Sequence, residues 1–238
     1  MKKHAIIIGA TSCIASSLAD LYANAGWTLG LTGRNSERLK TLADGLPSKV
    51  LTAGMDITDT VEARRVFNAL AARMDGVDLV VIAAGTGHID PELPWDKALN
   101  TIATNVQGFA AIAHSAYKYF EGQGHGHLAA ISSIAGIRGG EAPAYNASKA
   151  FISNYLQGIR YLANKKGKPV LVTDIQPGFV DTPMARGEGL FWVATPEKSA
   201  RQIYRALENR RRHVYVTRRW RIIAWALKLM PEWLYLKL

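Results

Sequence analysis

The sequence predicts a doubly wound α/β domain, a seven-stranded parallel sheet with helices on both faces. Three observations carry that expectation. Short, almost purely apolar runs alternate with longer segments of helical period, as expected for strands buried on both faces and joined by crossover helices. The first run, Ile6-Ile7-Ile8, ends at Gly9, which opens a turn directly ahead of a helical segment. At 238 residues the chain suits one such domain with a large core, and no linker divides it.

Taken in order, the strands fall near 4–9, 28–32, 49–53, 78–83, 127–132, 169–175 and 213–217. Helices fill the intervals near 13–25, 35–44, 58–73, 96–121, 144–165 and 196–208. Gly26 and Gly167 stand where helices should end, because a left-handed residue closes a C-terminus most easily as glycine. The last helix has Thr195 to cap its first N–H groups and Pro196 at its first position, where no backbone donor is needed. In such a sheet a ligand binds at the carboxyl ends of the strands, near the point where strand order reverses.

Composition narrows the class. Hydrophobic residues make up 48% of the chain, as in a globular protein. Cys13 is the only cysteine, so no internal disulfide can form and a reducing, cytoplasmic setting is expected. Met1-Lys2-Lys3-His4 precedes an apolar run too short for a signal peptide, and no stretch reaches the roughly 18 apolar residues of a membrane span. His125 and His127 flank Gly126 without acidic or thiol neighbours and read as solvated loop histidines, so no metal site is expected. His88 reads as a surface-loop residue.

The chemistry concentrates in Ser132-Ser133-Ile134-Ala135-Gly136 and Tyr145-Asn146-Ala147-Ser148-Lys149. Tyr145 and Lys149 are four apart on one helix and share a face. An ammonium near a phenol favours phenolate and lowers a reference pKa of about 10, which lets the phenol exchange a proton with an alcohol or carbonyl. A serine hydroxyl from a strand end can bond the same substrate oxygen.

Other landmarks accompany that pair: Gly9-Ala10-Thr11-Ser12-Cys13-Ile14-Ala15, then Asp56-Ile57, Ala83-Ala84-Gly85, Asn105, and Pro177-Gly178-Phe179-Val180-Asp181-Thr182. In this order and at these spacings, from about residue 4 to about residue 200, the chain resembles the short-chain dehydrogenase/reductase family. The resemblance implies a Rossmann-type fold, a nicotinamide dinucleotide cofactor, a small-molecule substrate and a homodimer or homotetramer, with the helices near 96–121 and 144–165 at the interface.

It also implies roles. Tyr145 would be the acid/base, Lys149 a ribose ligand that tunes it, Ser133 a donor to the substrate oxygen, and Asn105 a support for Lys149 through water. The Ser-x-x-Gly spacing selects Ser133, whereas the family's usual interval of 13 residues to the tyrosine selects Ser132, and Ser133 is preferred. Gly9, Thr11, Ser12 and Ile14 would cradle the pyrophosphate, with Cys13 and Ala15 where relatives carry glycines. Asp56 and Ile57 would flank the adenine, and Ala84-Gly85 would pass close to the ribose. Pro177, Gly178, Val180 and Thr182 would hold the nicotinamide end. Gly33 occupies the position that carries an acid in NAD-preferring folds, and Arg34 follows it, so NADP(H) is expected over NAD(H). The segment 184–195 should cover the substrate.

The net charge of +10 is concentrated at the C-terminal end, where residues 201–238 hold ten Lys/Arg against two Asp/Glu. Residues 210–238 also carry Trp220, Trp225 and Trp233 and form a basic amphipathic ending. Three readings stand: a peripheral contact with a membrane surface, a cover over the substrate pocket, or a subunit interface. Its apolar content argues against nucleic acid. The leading function is oxidoreduction between a secondary alcohol and a ketone, with relatives of similar ending suggesting a lipophilic substrate. One alternative is a cofactor-binding sensor or scaffold of the same fold. Another is an epimerase or dehydratase acting on a nucleotide sugar.

Overall fold

The computed structural model describes residues 3–88, 92–183 and 191–237. Strands β1 (His4–Ile8), β2 (Thr28–Gly33), β3 (Val50–Gly54), β4 (Leu79–Ile82), β5 (Gly126–Ile131), β6 (Val170–Pro177) and β7 (His213–Val216) form one parallel sheet in the order β3-β2-β1-β4-β5-β6-β7. The seven strands and their order of formation agree with the alternation read from sequence. β1 and β4 lie side by side, so chain direction across the sheet reverses between them, and the turns after these two strands open a crevice there.

Each strand is apolar along its length because both of its faces are covered. Ile6 and Ile8 point into a core with Phe67, Leu70, Phe109 and Ile112, while Ala5 and Ile7 point into a second core with Leu18, Tyr22 and Ile203. The first core lies under α3 (Thr60–Ala72), α5 (Phe109–Gln123) and α6 (Pro143–Lys165). The second lies under α1 (Cys13–Asn24), α2 (Ser36–Asp44) and α7 (Pro196–Glu208). Thr195 accepts from the Lys198 N–H at 3.2 Å, and Asn35 and Asp59 cap α2 and α3 in the same way. Gly26 and Gly167 adopt φ of +80° and +61° just after α1 and α6.

The helix expected over 96–121 is not uniform. It runs as α4 (Trp95–Ile102), a π-helical stretch over Ala103–Gly108, and α5. The extra residue in that turn carries Asn105 to a fully buried position, and Gly108 at its end touches Ile57, where an added β-carbon would lie 2.5 Å from the Ile57 carbonyl oxygen. Beyond β7 the chain continues as α8 (Trp220–Leu229) and the short α9 (Glu232–Tyr235), interrupted at Pro231 as its ring requires. No helix among the described residues is long and apolar enough to cross a membrane.

Candidate active site

At the switch point the chain leaves β1 through Gly9, whose φ of +78° suits glycine, and a β-carbon there would meet the Ala84 backbone at 2.7 Å. The N–H groups of Gly9 and Ala10 are held by the Thr32 carbonyl at 3.0 and 2.8 Å. Ser12 caps α1 in an extended conformation without a side-chain hydrogen bond to the helix, so the first-turn donors are not covered by their own cap. Positive helix ends of this kind take phosphate oxygens. Ala15 is fully buried, and Cys13 is half-buried. Thr11 packs over Gly33, whose added β-carbon would lie 3.4 Å from both Thr11 Cγ2 and Oγ1.

Arg34 is exposed at the end of β2, and its charge reaches Asp56 at the end of β3. Partial burial would raise the Asp56 carboxyl. The Thr58 N–H at 2.9 Å, the Thr58 hydroxyl at 2.8 Å and the Arg34 cation outweigh it, leaving that carboxyl below the usual range. Ile57 belongs to the core, so only its backbone is free to meet a ligand. These residues gather at one end of the crevice.

At the other end, Asn105 ties three elements together. Its Oδ1 accepts from the Thr86 N–H at 2.9 Å, and its Nδ2 donates to the Thr86 carbonyl at 2.6 Å and to the Ser148 hydroxyl on α6 at 2.9 Å. Gly85 passes so close that an added β-carbon would lie 3.3 Å from Asn105 Oδ1 and 3.4 Å from Lys149 Nζ. Asn105 is thus beside Lys149, with its amide engaged by Thr86 and Ser148.

Lys149 is buried, with Nζ 3.0 Å from the Ile131 carbonyl and 5.5 Å from the Tyr145 ring centre. Burial lowers its ammonium to about 8, against the opposing charge of Asp174. Tyr145 differs from the expectation of a lowered phenol. Burial raises it, and a hydrogen bond with Ser133 works only partly in the other direction. Removal of the ring from water outweighs the nearby ammonium.

The two serines separate. Ser133 Oγ accepts from the Ala135 N–H at 3.1 Å and bonds the Tyr145 phenol. Ser132 points into the sheet, donating to Asp174 and, at 3.1 Å, to the Ile175 carbonyl. Strand alternation allows only one of them to face Tyr145.

Pro177 and Val180 are buried, and Val180 pairs with Ala194 through an isolated bridge. Thr182 is half-exposed. Gly178 is covered by the Trp220 indole, since an added β-carbon would fall 2.0 Å from that ring. Trp220 stacks on Phe191 and meets Phe179 edge-on, with centroids 5.1 and 5.3 Å apart. The Arg138 Nε donates to the Leu227 carbonyl at 2.9 Å, tying the segment between Ser133 and Tyr145 to the end of α8. A cavity of about 160 Å³ beside Ala144 is walled chiefly by apolar groups, among them Leu93, Pro94 and Ala142, with His88 at its edge. Most of the 184–195 segment expected to cover the substrate lies outside the described residues.

Sequence reasoning missed four participants: Gly87, Ser148, Asp174 and the covering role of Trp220. Only Asp174 had a signal, a charge inside the apolar run Val170-Leu171-Val172-Thr173-Asp174-Ile175. His127 also differs from expectation. It lies in β5 with Nε2 2.7 Å from Thr173 Oγ1, and burial lowers its pKa to about 4. No cluster of metal-binding side chains occurs among the described residues.

A phosphate-accepting turn, a strand-end cation and a tyrosine–lysine–serine group, all at the carboxyl edge of one parallel sheet, define a dinucleotide-dependent oxidoreductase. The comparisons agree. A sequence model described as short chain dehydrogenase matches residues 3–190. An uncharacterized oxidoreductase of Myxococcus xanthus is 35% identical over 187 residues, covering 76% of this chain and 73% of that protein. Among solved structures, a short-chain dehydrogenase/reductase from Burkholderia phymatum in complex with NAD superposes with TM-score 0.83 at 20% identity, covering 94% of this chain and 92% of that one. A short-chain dehydrogenase from Burkholderia cenocepacia in complex with NADP gives 0.81 at 22% identity, covering 97% and 98%. This chain belongs to the short-chain dehydrogenase/reductase family and is an NAD(P)-dependent enzyme of that family.

Proposed function

We propose that the enzyme is NADP(H)-dependent and interconverts a secondary alcohol and a ketone. The observation that carries this reading is the convergence of the Ser133 hydroxyl, the Tyr145 phenol and the buried Lys149 ammonium beside an apolar cavity. Glycine at 9 and 85 leaves room where a β-carbon would intrude, which fits a cofactor lying across the switch point. Gly9, Thr11, Ser12 and Ile14 would take its pyrophosphate, Asp56, Ile57 and Arg34 its adenosine end, and Ala84, Gly85, Tyr145 and Lys149 its ribose side. Pro177, Val180 and Thr182 would line the nicotinamide, with Gly178 contributing through its backbone under Trp220. The bound nicotinamide supplies or takes the hydride.

The side chains do the rest. Ser133 donates to the carbonyl oxygen and polarises it. Tyr145, held protonated by burial, passes its proton to that oxygen as charge develops there, and Lys149 steadies the phenolate left behind. A raised phenol is the form that gives up a proton, which favours the reductive direction at neutral pH. Asn105 holds the chain between Thr86 and α6, so that Lys149 keeps its place. Arg34 with Gly33 before it supports NADP(H), because a guanidinium suits the 2′-phosphate and no carboxylate is there to bind a bare ribose. Replacing Tyr145 with Phe should reduce turnover of a ketone found by an NADPH-absorbance screen by at least about 100-fold, the lower range for a general acid, with cofactor affinity nearly unchanged. Wild-type kcat in that variant would remove Tyr145 from the chemistry.

The C-terminal segment supports a further element of the reading, peripheral contact with an anionic membrane surface. α8 buries Trp220 and Ala224 and turns Ile222, Trp225 and Leu229 outward, 69%, 56% and 80% exposed. Arg221 lies 5.3 Å over the Trp225 ring, so basic and aromatic groups share the outer face. The same helix covers Gly178, which combines a membrane-facing surface with a cover over the pocket.

A further inference from the structure

We infer that Asp174 is a positioning residue for Lys149, a buried carboxylate whose charge keeps that lysine an ammonium beneath Tyr145. The inference rests on the role given to Lys149 above. Asp174 lies in β6 in register with Ala130 of β5 and is 5% exposed. Alternation along β6 places it on the same face as Val172 and Gln176, the face covered by α6.

Its oxygens meet neutral donors. Oδ1 accepts from Ser132 Oγ, and Oδ2 accepts from Gln176 Nε2 at 3.1 Å. The same Gln176 amide donates to Ser153 on α6 at 3.0 Å, one turn beyond Lys149. A carboxylate in such a place costs several kcal/mol of hydration. An amide would satisfy Ser132 equally well, so the hydrogen bonds do not explain the charge.

The charged groups that face it come from two elements. His213 of β7 stands with Nδ1 3.8 Å from Oδ2, yet burial lowers that imidazole below its ordinary value, so it is neutral at neutral pH; Lys228 and Arg160 push it the same way. Arg160 of α6 also feels Asp174, but its guanidinium is spent on carbonyl oxygens, Val172 at 3.2 Å and Arg212 at 2.9 Å. Lys149, also of α6, has its Nζ on the Ile131 carbonyl, next to the serine that holds Asp174. The Asp174 charge is the opposing influence on Lys149 and limits the lowering caused by burial. Without it the ammonium would lose its proton nearer to neutral pH. The lysine would then neither stabilise a Tyr145 phenolate nor donate to ribose hydroxyls.

The test uses the whole protein and needs no substrate. NADPH and NADH dissociation constants are measured by nicotinamide fluorescence on both sides of the Lys149 value of about 8. Wild-type affinity should fall as pH rises through that value, because the ammonium that holds the ribose is lost. In Asp174→Asn the fall should begin about one pH unit lower, the small end of the effect of an opposite charge. Ser132→Ala keeps the carboxylate and loses a hydrogen bond, so its midpoint should match wild type. Equal midpoints in Asp174→Asn and wild type would overturn the inference. A flat wild-type curve, with Lys149→Met binding as well as wild type, would instead overturn the role given to Lys149. Should Asp174→Asn fail to fold, the double variant Asp174→Asn/Lys149→Met should fold, since both charges leave together. Failure of both variants to fold would give Asp174 a structural role only and end the proposal.

Discussion

Gly87 and Tyr145 touch so closely that a β-carbon on Gly87 would lie 2.5 Å from Cδ2 of the Tyr145 ring. No real side chain tolerates that approach, so the loop after β4 is shaped to let the phenol lie flat against backbone. The position of the Tyr145 hydroxyl relative to Ser133 therefore depends on a residue 58 positions earlier in the chain.

Gly87→Ala should push the Tyr145 ring away from Ser133. A displacement of about 1 Å costs on the order of 100-fold in rate, so turnover should fall by roughly 10- to 100-fold. Cofactor affinity should stay near wild type, because Gly9, Arg34 and the first turn of α1 are untouched. Steady-state kinetics beside cofactor titration separates the two, and an unchanged kcat would show that the loop gives way instead.

Arg34→Ala should weaken NADPH far more than NADH. Loss of a charge-assisted contact with a phosphate is worth about 1.5–3 kcal/mol, or roughly 10- to 100-fold in affinity. Asp56 should also become easier to protonate, since the Arg34 cation helps hold it down. Equal losses for the two cofactors would show that Arg34 does not read the 2′-phosphate.

His127 makes folding stability depend on acid. Thr173 gives its hydroxyl proton to the Arg211 carbonyl, so His127 Nε2 is the donor in their 2.7 Å hydrogen bond and the ring is neutral. Burial lowers the folded pKa from 6.5 to about 4, and Arg210 adds to that. Between those values the unfolded chain holds the proton and the folded one does not, so stability falls as pH drops from about 6.5 to about 4. The loss is at most about 3 kcal/mol and is complete below both values. Denaturant melts of wild type and His127→Gln across that window should converge toward acid, and parallel curves would argue against it.

The C-terminal segment should bind anionic liposomes and ignore neutral ones. Each basic side chain near such a surface contributes about 1 kcal/mol, and rising salt should weaken the attraction. Trp225→Ser/Leu229→Ser leaves the buried Trp220 and Ala224 in place and should lessen co-sedimentation. Equal pelleting with neutral and anionic lipid, or none at low salt, would point to an interface between subunits. Light scattering on the same samples reports the oligomeric state, expected to be a dimer or tetramer.

Much of this site is legible without coordinates because its parts are local. Tyr145 and Lys149 lie one helical turn apart whatever surrounds them. Thr195-Pro196 starts a helix by its own chemistry, and a three-residue apolar run stopping at Gly9 can only be a buried strand entering a turn. Alternation of apolar runs with helical periods was enough for seven strands, since each strand must hide both faces.

What only the tertiary structure decided is how distant groups meet. The sequence could not separate Ser132 from Ser133, because the choice depends on which of them β6 meets with Asp174. It placed a helix over 96–121, yet the π-helical turn at Asn105 exists because Thr86 and Ser148 lie within reach of one amide. It expected a lowered phenol from an adjacent lysine, whereas burial by the folded chain raises it. It offered three fates for the C-terminal segment, and the Trp220 indole over Gly178 shows that one face of α8 is packed onto the fold while the other remains outward. Periodicity records which side of an element meets the core. Charge balance and close approach depend on neighbours far along the chain, and these are set only when the sheet and its helices assemble.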